Sequence, residues 1–316
     1  MAFVSSWLAR AGFCSLALAL VACGPPRPGL EPLAGSKGLR VVTTFLPITL
    51  FTRAVAGDCA QVTALIAPNA GPHDFQAKPG DLAALRQAKV LVKNGLEVEA
   101  FLSKLVVSAE NPALITIDSS RGVATLDSVE EAGHHRGHAH DHGAVNPHIW
   151  LDPLRAVQQV ETIRDGLVKA DPSCAEGYKR NAEAYTTQLK ALNAEIAGQL
   201  KPYRGKSFVA FHDFAPYFAE RYGLTANYLV DVPELNPSPA DLQRVALEVK
   251  KSQLKALLSE PQEGNRSFNA LASDLGVTIS VFDPMETATE AESRHPLTYG
   301  RVMRRNVAEL RRAFGE

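Results

Sequence analysis

The chain has 316 residues, 46% of them hydrophobic, and a formal net charge of −1. A near-neutral chain with no basic patch interleaved with aromatics argues against a nucleic-acid partner. About 280 residues remain beyond an N-terminal leader, more than one comfortable core, which points to two domains.

Residues 1–22 read as an export signal. Arg10 supplies the positive charge and 11–22 a short apolar stretch. About a dozen residues cannot span a bilayer, which takes roughly 20 in a helix, so the stretch is a signal h-region. It ends in Leu20-Val21-Ala22-Cys23, the pattern of a bacterial lipoprotein cleavage site. Cys23 is thus the expected lipidation site, and 23–37, rich in Pro and Gly, the expected flexible tether. No later segment is apolar enough to cross a membrane, so membrane contact is expected only through the lipid. The expected location is periplasmic or at the cell surface. Cys59 and Cys174 both lie in predicted turns. An exported protein permits a bridge between them, but the sequence leaves open whether they are close enough to form one.

Strand-like and helix-like runs then alternate. Residues 39–45, 61–66, 89–93 and 114–118 read as strands, separated by helices over 47–56, 79–88 and 98–107. The same grammar restarts with strands at 207–211, 224–230, 256–259 and 277–282. Its helices are 214–222, 239–251, 265–275 and 299–314. Such alternation implies parallel strands flanked by helices. The halves are joined by a helical pattern in which Tyr178, Ala182, Tyr185, Leu189, Leu192, Ile196 and Leu200 share one face. About 25 such residues extend nearly 40 Å, enough to run along both halves and resist hinge bending. The predicted class is α/β, with two lobes of mostly parallel sheet joined by one long rigid helix. The expected parts are an N-terminal lobe at 38–170, the connecting helix at 171–203 and a C-terminal lobe at 204–316. Residues 133–143 form a His-rich, aperiodic loop in the first lobe.

Ligands of open parallel sheets gather at the carboxyl ends of the strands. His73 lies in the loop after strand 61–66, within Gly71-Pro72-His73-Asp74. His148 sits between prolines 147 and 153, ahead of a helix that begins near Asp152. His212 directly follows strand 207–211, and Asp283 directly follows 277–282 before Pro284. A lone histidine at a strand end is usually a hydrogen-bonded residue, and an Asp before Pro usually a turn-former or cap. Four ligand-type residues at matched positions in two halves point instead to a shared site. Three imidazoles and a carboxylate suit tetrahedral Zn²⁺, whereas Mn²⁺, Mg²⁺ or Ca²⁺ sites use more oxygens. With all four bound, no position stays open for water, which favours capture over hydrolysis. His134, His135, His138, His140 and His142 form a further set of possible weak metal sites. His295 lacks strand-end context and reads as a surface residue.

With those residues in hand, the chain resembles the zinc-uptake solute-binding proteins of bacterial ABC transporters, in the cluster of metal-binding lipoproteins. Asn146-Pro147-His148-Ile149-Trp150-Leu151-Asp152-Pro153 is close to that family's most specific motif. Phe211-His212-Asp213-Phe214 resembles its third-ligand segment and Phe282-Asp283-Pro284 its fourth. The resemblance implies that His73, His148, His212 and Asp283 bind metal. It also implies two α/β lobes joined by a rigid helix, a monomeric receptor, Zn²⁺ as cargo and an ABC permease as partner. Gly71-Pro72-His73 departs from the family's usual Asp-Pro-His and removes a nearby carboxylate, for which Asp74 is a partial replacement. In manganese-binding relatives a Glu stands where His212 is, so the histidine favours zinc. A manganese or iron receptor of the same fold is the first competing reading. A zinc hydrolase using Glu260 as general base is the second, and an adhesion lipoprotein with incidental metal the third.

Overall fold

Two four-stranded sheets, every pair parallel, take up the strand runs of the two halves. The structure, a computed structural model, describes residues 38–73, 75–127, 145–233, 235–261 and 266–316. The expected signal 1–22, the tether 23–37 with Cys23, Asp74 and the five histidines of the 133–143 loop lie outside the described residues.

The first half runs β1 (Leu39–Thr43), α1 (Leu46–Ala56), β2 (Ala60–Ala64), α2 (Pro79–Gln87), β3 (Val90–Lys93), α3 (Leu102–Ala109) and β4 (Ile115–Asp118). Its sheet order is β2-β1-β3-β4, with Val41 opposite both Val62 and Val90, and Val90 opposite Ile115. α4 (Pro153–Ala170) and α5 (Ala175–Leu200) follow. The second half runs β5 (Ser207–His212), α6 (Pro216–Tyr222), β6 (Thr225–Val230), α7 (Pro239–Ser252), β7 (Ala256–Ser259), α8 (Arg266–Leu275), β8 (Thr278–Val281), α9 (Glu290–Ser293) and α10 (Thr298–Ala313). Its order, β6-β5-β7-β8, repeats the first. In each sheet the connections leave the first strand in opposite directions, which opens a crevice at the carboxyl ends of the strands.

Local chemistry sets the boundaries. α4 starts where Asp152 accepts the Leu154 N–H and Pro153 occupies the first helical position. α3 begins at Leu102, four residues later than the apolar spacing predicts. Leu96 and Glu97 adopt positive φ after Gly95, itself at φ 91°, and the buried Glu99 carboxylate folds back onto the N–H groups of Asn94 and Gly95. Thr44 Oγ1 donates to it as well. Those bonds hold the stretch before α3 as a turn.

α5 has 26 residues, about 39 Å at 1.5 Å per residue. Its seven predicted stripe residues are all buried. They pack on α1, α4 and α10, so the helix touches elements of both halves. One hydrophobic core runs from Phe45 and Trp150 through Tyr185 and Leu189 to Phe218, Phe282 and Met303. Smaller clusters lie under α2 and α3 and under α7 and α8. Trp150 ties the halves directly: its Nε1 donates to Pro284 O at 2.8 Å, and Tyr299 Oη donates to its carbonyl at 2.8 Å. Cys59 and Cys174, left open by the sequence, form a disulfide with Cα atoms 6.0 Å apart. The bridge lies at the amino end of β2, away from the carboxyl-end crevice. Gly177 packs against it so closely that a Cβ there would stand 2.7 Å from the Cys59 sulfur.

Candidate metal centre

His73 hangs in the loop after β2, His148 precedes α4, and His212 is the last residue of β5. The fold brings all three imidazoles together at the crevice, with ring centroids 5.3–5.8 Å apart. Their Nε2 atoms converge on a single oxygen, Glu286 Oε1, at 3.0 Å from His73, 3.3 Å from His148 and 3.6 Å from His212. The His148 and His212 Nε2 atoms are 3.3 Å apart. One ligand atom from each of the four residues lies within 4.8 Å of the others.

The fourth member differs from the sequence expectation. Asp283 is not in this group. Its Oδ1 accepts the Met285 N–H at 2.8 Å and its Oδ2 accepts from Arg305 at 2.7 Å. The short aspartate side chain closes a turn on its own backbone two residues on. Glu286, three residues further and one methylene longer, reaches the imidazoles. The sequence holds a signal for it: Asp283-Pro284-Met285-Glu286 carries two carboxylates after one strand, and local spacing does not separate them.

Each deeply buried imidazole has its second nitrogen occupied. His148 Nδ1 lies 2.9 Å from Asn146 Oδ1, which also accepts the His148 backbone N–H at 3.0 Å. The Asn146 amide nitrogen donates to Asp213 O and Oδ2, which fixes the amide's orientation. His148 Nδ1 is therefore the protonated nitrogen, and Nε2 presents its lone pair. His212 Nδ1 hydrogen-bonds Glu260 Oε1, and its backbone N–H points at the same oxygen. Such outer partners set the tautomer and orientation of metal-ligating histidines.

The electrostatics are divided. Burial drives His148 down to about 3, against the pull of Glu286. Burial opposes charge on His212 too, but the Glu260 and Glu286 carboxylates outweigh it and raise it to about 10. Burial likewise works against charge on Glu286, and the imidazoles of His73 and His212 overcome it, holding the carboxyl well below its usual range. A cationic His212 between two buried carboxylates neutralises what would otherwise be costly isolated charges.

The arrangement fits a small tetrahedral cation. Ligand bonds of 2.0–2.2 Å correspond to tetrahedral edges of about 3.3–3.6 Å. Four of the six donor separations, at 3.0–3.6 Å, already match to a few tenths, and all four donors lie within 4.8 Å of one another. Glu260, the candidate general base, spends its carboxylate on His212 and is 2% exposed.

A family model described as ZnuA, zinc-uptake complex component A periplasmic, matches residues 41–313. The zinc-binding lipoprotein AdcA of Streptococcus pneumoniae serotype 4 is 33% identical over 298 residues. That match takes in 93% of this chain and 58% of AdcA, so the chain spans little more than half of that relative's length. The high-affinity zinc uptake system protein ZnuA of Bacillus subtilis is 29% identical, with 93% of each chain covered. The crystal structure of the Zn(II)-bound ZnuA-like domain of Streptococcus pneumoniae AdcA superposes with a TM-score of 0.73 and 30% identity. It covers 88% of this chain and 100% of that one.

Proposed function

The chain belongs to the ZnuA family, and from that premise we propose that it is an extracytoplasmic receptor that captures Zn²⁺ between its lobes and hands it to an ABC permease for import. The observation that carries this reading is the convergence of three histidine Nε2 atoms and Glu286 Oε1 in a buried pocket. Three neutral-nitrogen donors and one carboxylate oxygen form the set that suits zinc. With four side chains spent on the ion, no coordination position remains for a catalytic water, in keeping with transport rather than turnover.

Here the ligands are His73, His148, His212 and Glu286. His212 sheds a proton when Zn²⁺ enters, and Glu286 exchanges its imidazole partners for the ion. Asn146 and Glu260 hold their rings throughout. Release to a permease needs only a small shift of one lobe's loops, because stretching one bond of four degrades a tetrahedral site. The protein acts as a monomer tethered through lipid on Cys23, and the 133–143 histidines gather metal weakly.

Zinc titration against a competing chelator tests the reading. Glu286→Ala and His212→Ala should each lower affinity by several orders of magnitude. Removal of residues 133–143 should change it by less than about tenfold, since no histidine of the buried set is lost. Wild-type affinity in Glu286→Ala would rule out the ligand set.

A further inference from the structure

The loop after β8 carries two buried carboxylates, and they face different partners. Asp283 and Glu286 are 5% and 1% exposed. Glu286 meets the imidazoles; Asp283 meets Arg305 from α10. Arg305 is itself half exposed, at 51%, while the aspartate it binds is almost wholly covered. Asp283 is further framed by Asn306, which accepts the Asp283 N–H at 2.9 Å and donates to its carbonyl at 2.8 Å. Met285 turns the chain through φ 61°, and Pro284 O is gripped by Trp150, whose ring lies 5.1 Å from that of His148. Thus the loop is fixed on both flanks, and a single exposed cation holds the nearer carboxylate aside.

We propose that Arg305 is a specificity-determining residue, which by engaging Asp283 keeps a second carboxylate off the ion and leaves the site with three nitrogens and one oxygen. This rests on the ligand set given under Proposed function. The physical argument is one of unpaired charge. Without Arg305, Asp283 Oδ2 loses its partner while Oδ1 stays on the Met285 N–H. A buried carboxylate stripped of its counter-ion seeks another cation, and the divalent ion held by the same loop is the one at hand. An added oxygen ligand moves the site from tetrahedral N/O geometry toward the oxygen-richer, higher-coordinate geometry that suits Mn²⁺. Asn306 and Trp150 would still hold the backbone, so the change is in ligand count rather than in fold.

The test compares Zn²⁺ and Mn²⁺ affinities of the full chain, wild type and Arg305→Leu, by competition titration. X-ray absorption at the zinc edge gives the number of light-atom neighbours. The expected result is a fall of about tenfold in the zinc-to-manganese affinity ratio, the usual scale for an outer-shell change. Zinc should also gain an oxygen neighbour. Arg305→Lys, which keeps the cation, should retain the wild-type ratio, and Asp283→Asn placed on Arg305→Leu should restore it. Should Arg305→Leu fold poorly, Arg305→Gln makes the same test with similar side-chain bulk. An unchanged ratio and unchanged neighbour count would overturn the proposal, as would equal losses for both metals. Glu286→Gln separates the two levels. If it leaves zinc affinity intact, the ligand set itself fails. If it weakens zinc while Arg305→Leu alters no ratio, only the role of Arg305 fails.

Discussion

Asn146 Oδ1 accepts both the backbone N–H and the Nδ1–H of His148, at 3.0 and 2.9 Å. One oxygen thereby fixes the ring's tautomer and its tilt. The same asparagine reaches across to Asp213, next to His212, so a single amide aligns donors contributed by both lobes.

Asn146→Leu should therefore weaken zinc binding without touching a ligand. The expected loss is on the order of ten- to a hundredfold, the range for outer-shell partners of metal-bound histidines. Chelator competition measures it, and an unaltered constant would show that His148 is held by packing alone.

Proton release gives a second handle. His212, raised to about 10, holds a proton at neutral pH, whereas His148, lowered to about 3, does not. Zinc entry at pH 7.5 should displace about one proton, visible by calorimetry in buffers of different ionisation enthalpy. Because protonation competes with metal, affinity should fall as pH falls, by about a hundredfold from pH 7.5 to 5.5 for one displaced proton. Unperturbed imidazoles would confine that fall to below about pH 6.5. Pronounced dependence already between pH 7 and 8 distinguishes the two cases.

Glu260→Gln should alter that profile more than it alters affinity. Glutamine can still accept the Nδ1–H of His212 but removes one of the two negative charges that raise it. The proton displaced per zinc should drop below one and the pH dependence should shift downward. An unchanged profile would leave Glu286 as the sole source of the His212 shift. Turnover of an ester by wild type that vanishes in Glu260→Gln would instead revive the hydrolase reading.

The Cys59–Cys174 bridge spans a sequence separation of 115 residues. Loop-closure entropy assigns such a cross-link about 4–5 kcal/mol. Cys59→Ser with Cys174→Ser should lower the melting temperature by roughly 10 °C. Zinc affinity should stay near wild type, because the bridge lies at the amino end of β2 and the ligands at the carboxyl ends. Differential scanning calorimetry with a parallel metal titration checks both halves of this expectation.

The strands were legible because short β-branched runs bounded by turn residues leave few other readings. The α5 stripe was legible because its period never breaks over 26 residues. His73, His148 and His212 could be picked out because proline frames and strand ends mark their positions, and the fold does bring them together. Glu286 was not picked out, because two carboxylates three residues apart look alike locally, while the contact that engages Asp283 Oδ2 comes from Arg305, 22 residues beyond it. The late start of α3 escaped for a similar reason. Glu99 could have extended the helix, but its carboxylate bonds backward to Asn94 and Gly95. In both cases a long-range or backward side-chain bond decided what local periodicity could not.

The main hydrophobic cluster draws residues from both sheets, and α5 lies against helices of each. The largest interior is thus shared between the halves. Cutting the chain after Leu200 would strand Trp150 and Tyr185 without their neighbours Tyr299, Pro284 and Pro296. The two sheets are accordingly coupled in denaturation, and a molecule with two architectural halves should melt as one cooperative unit.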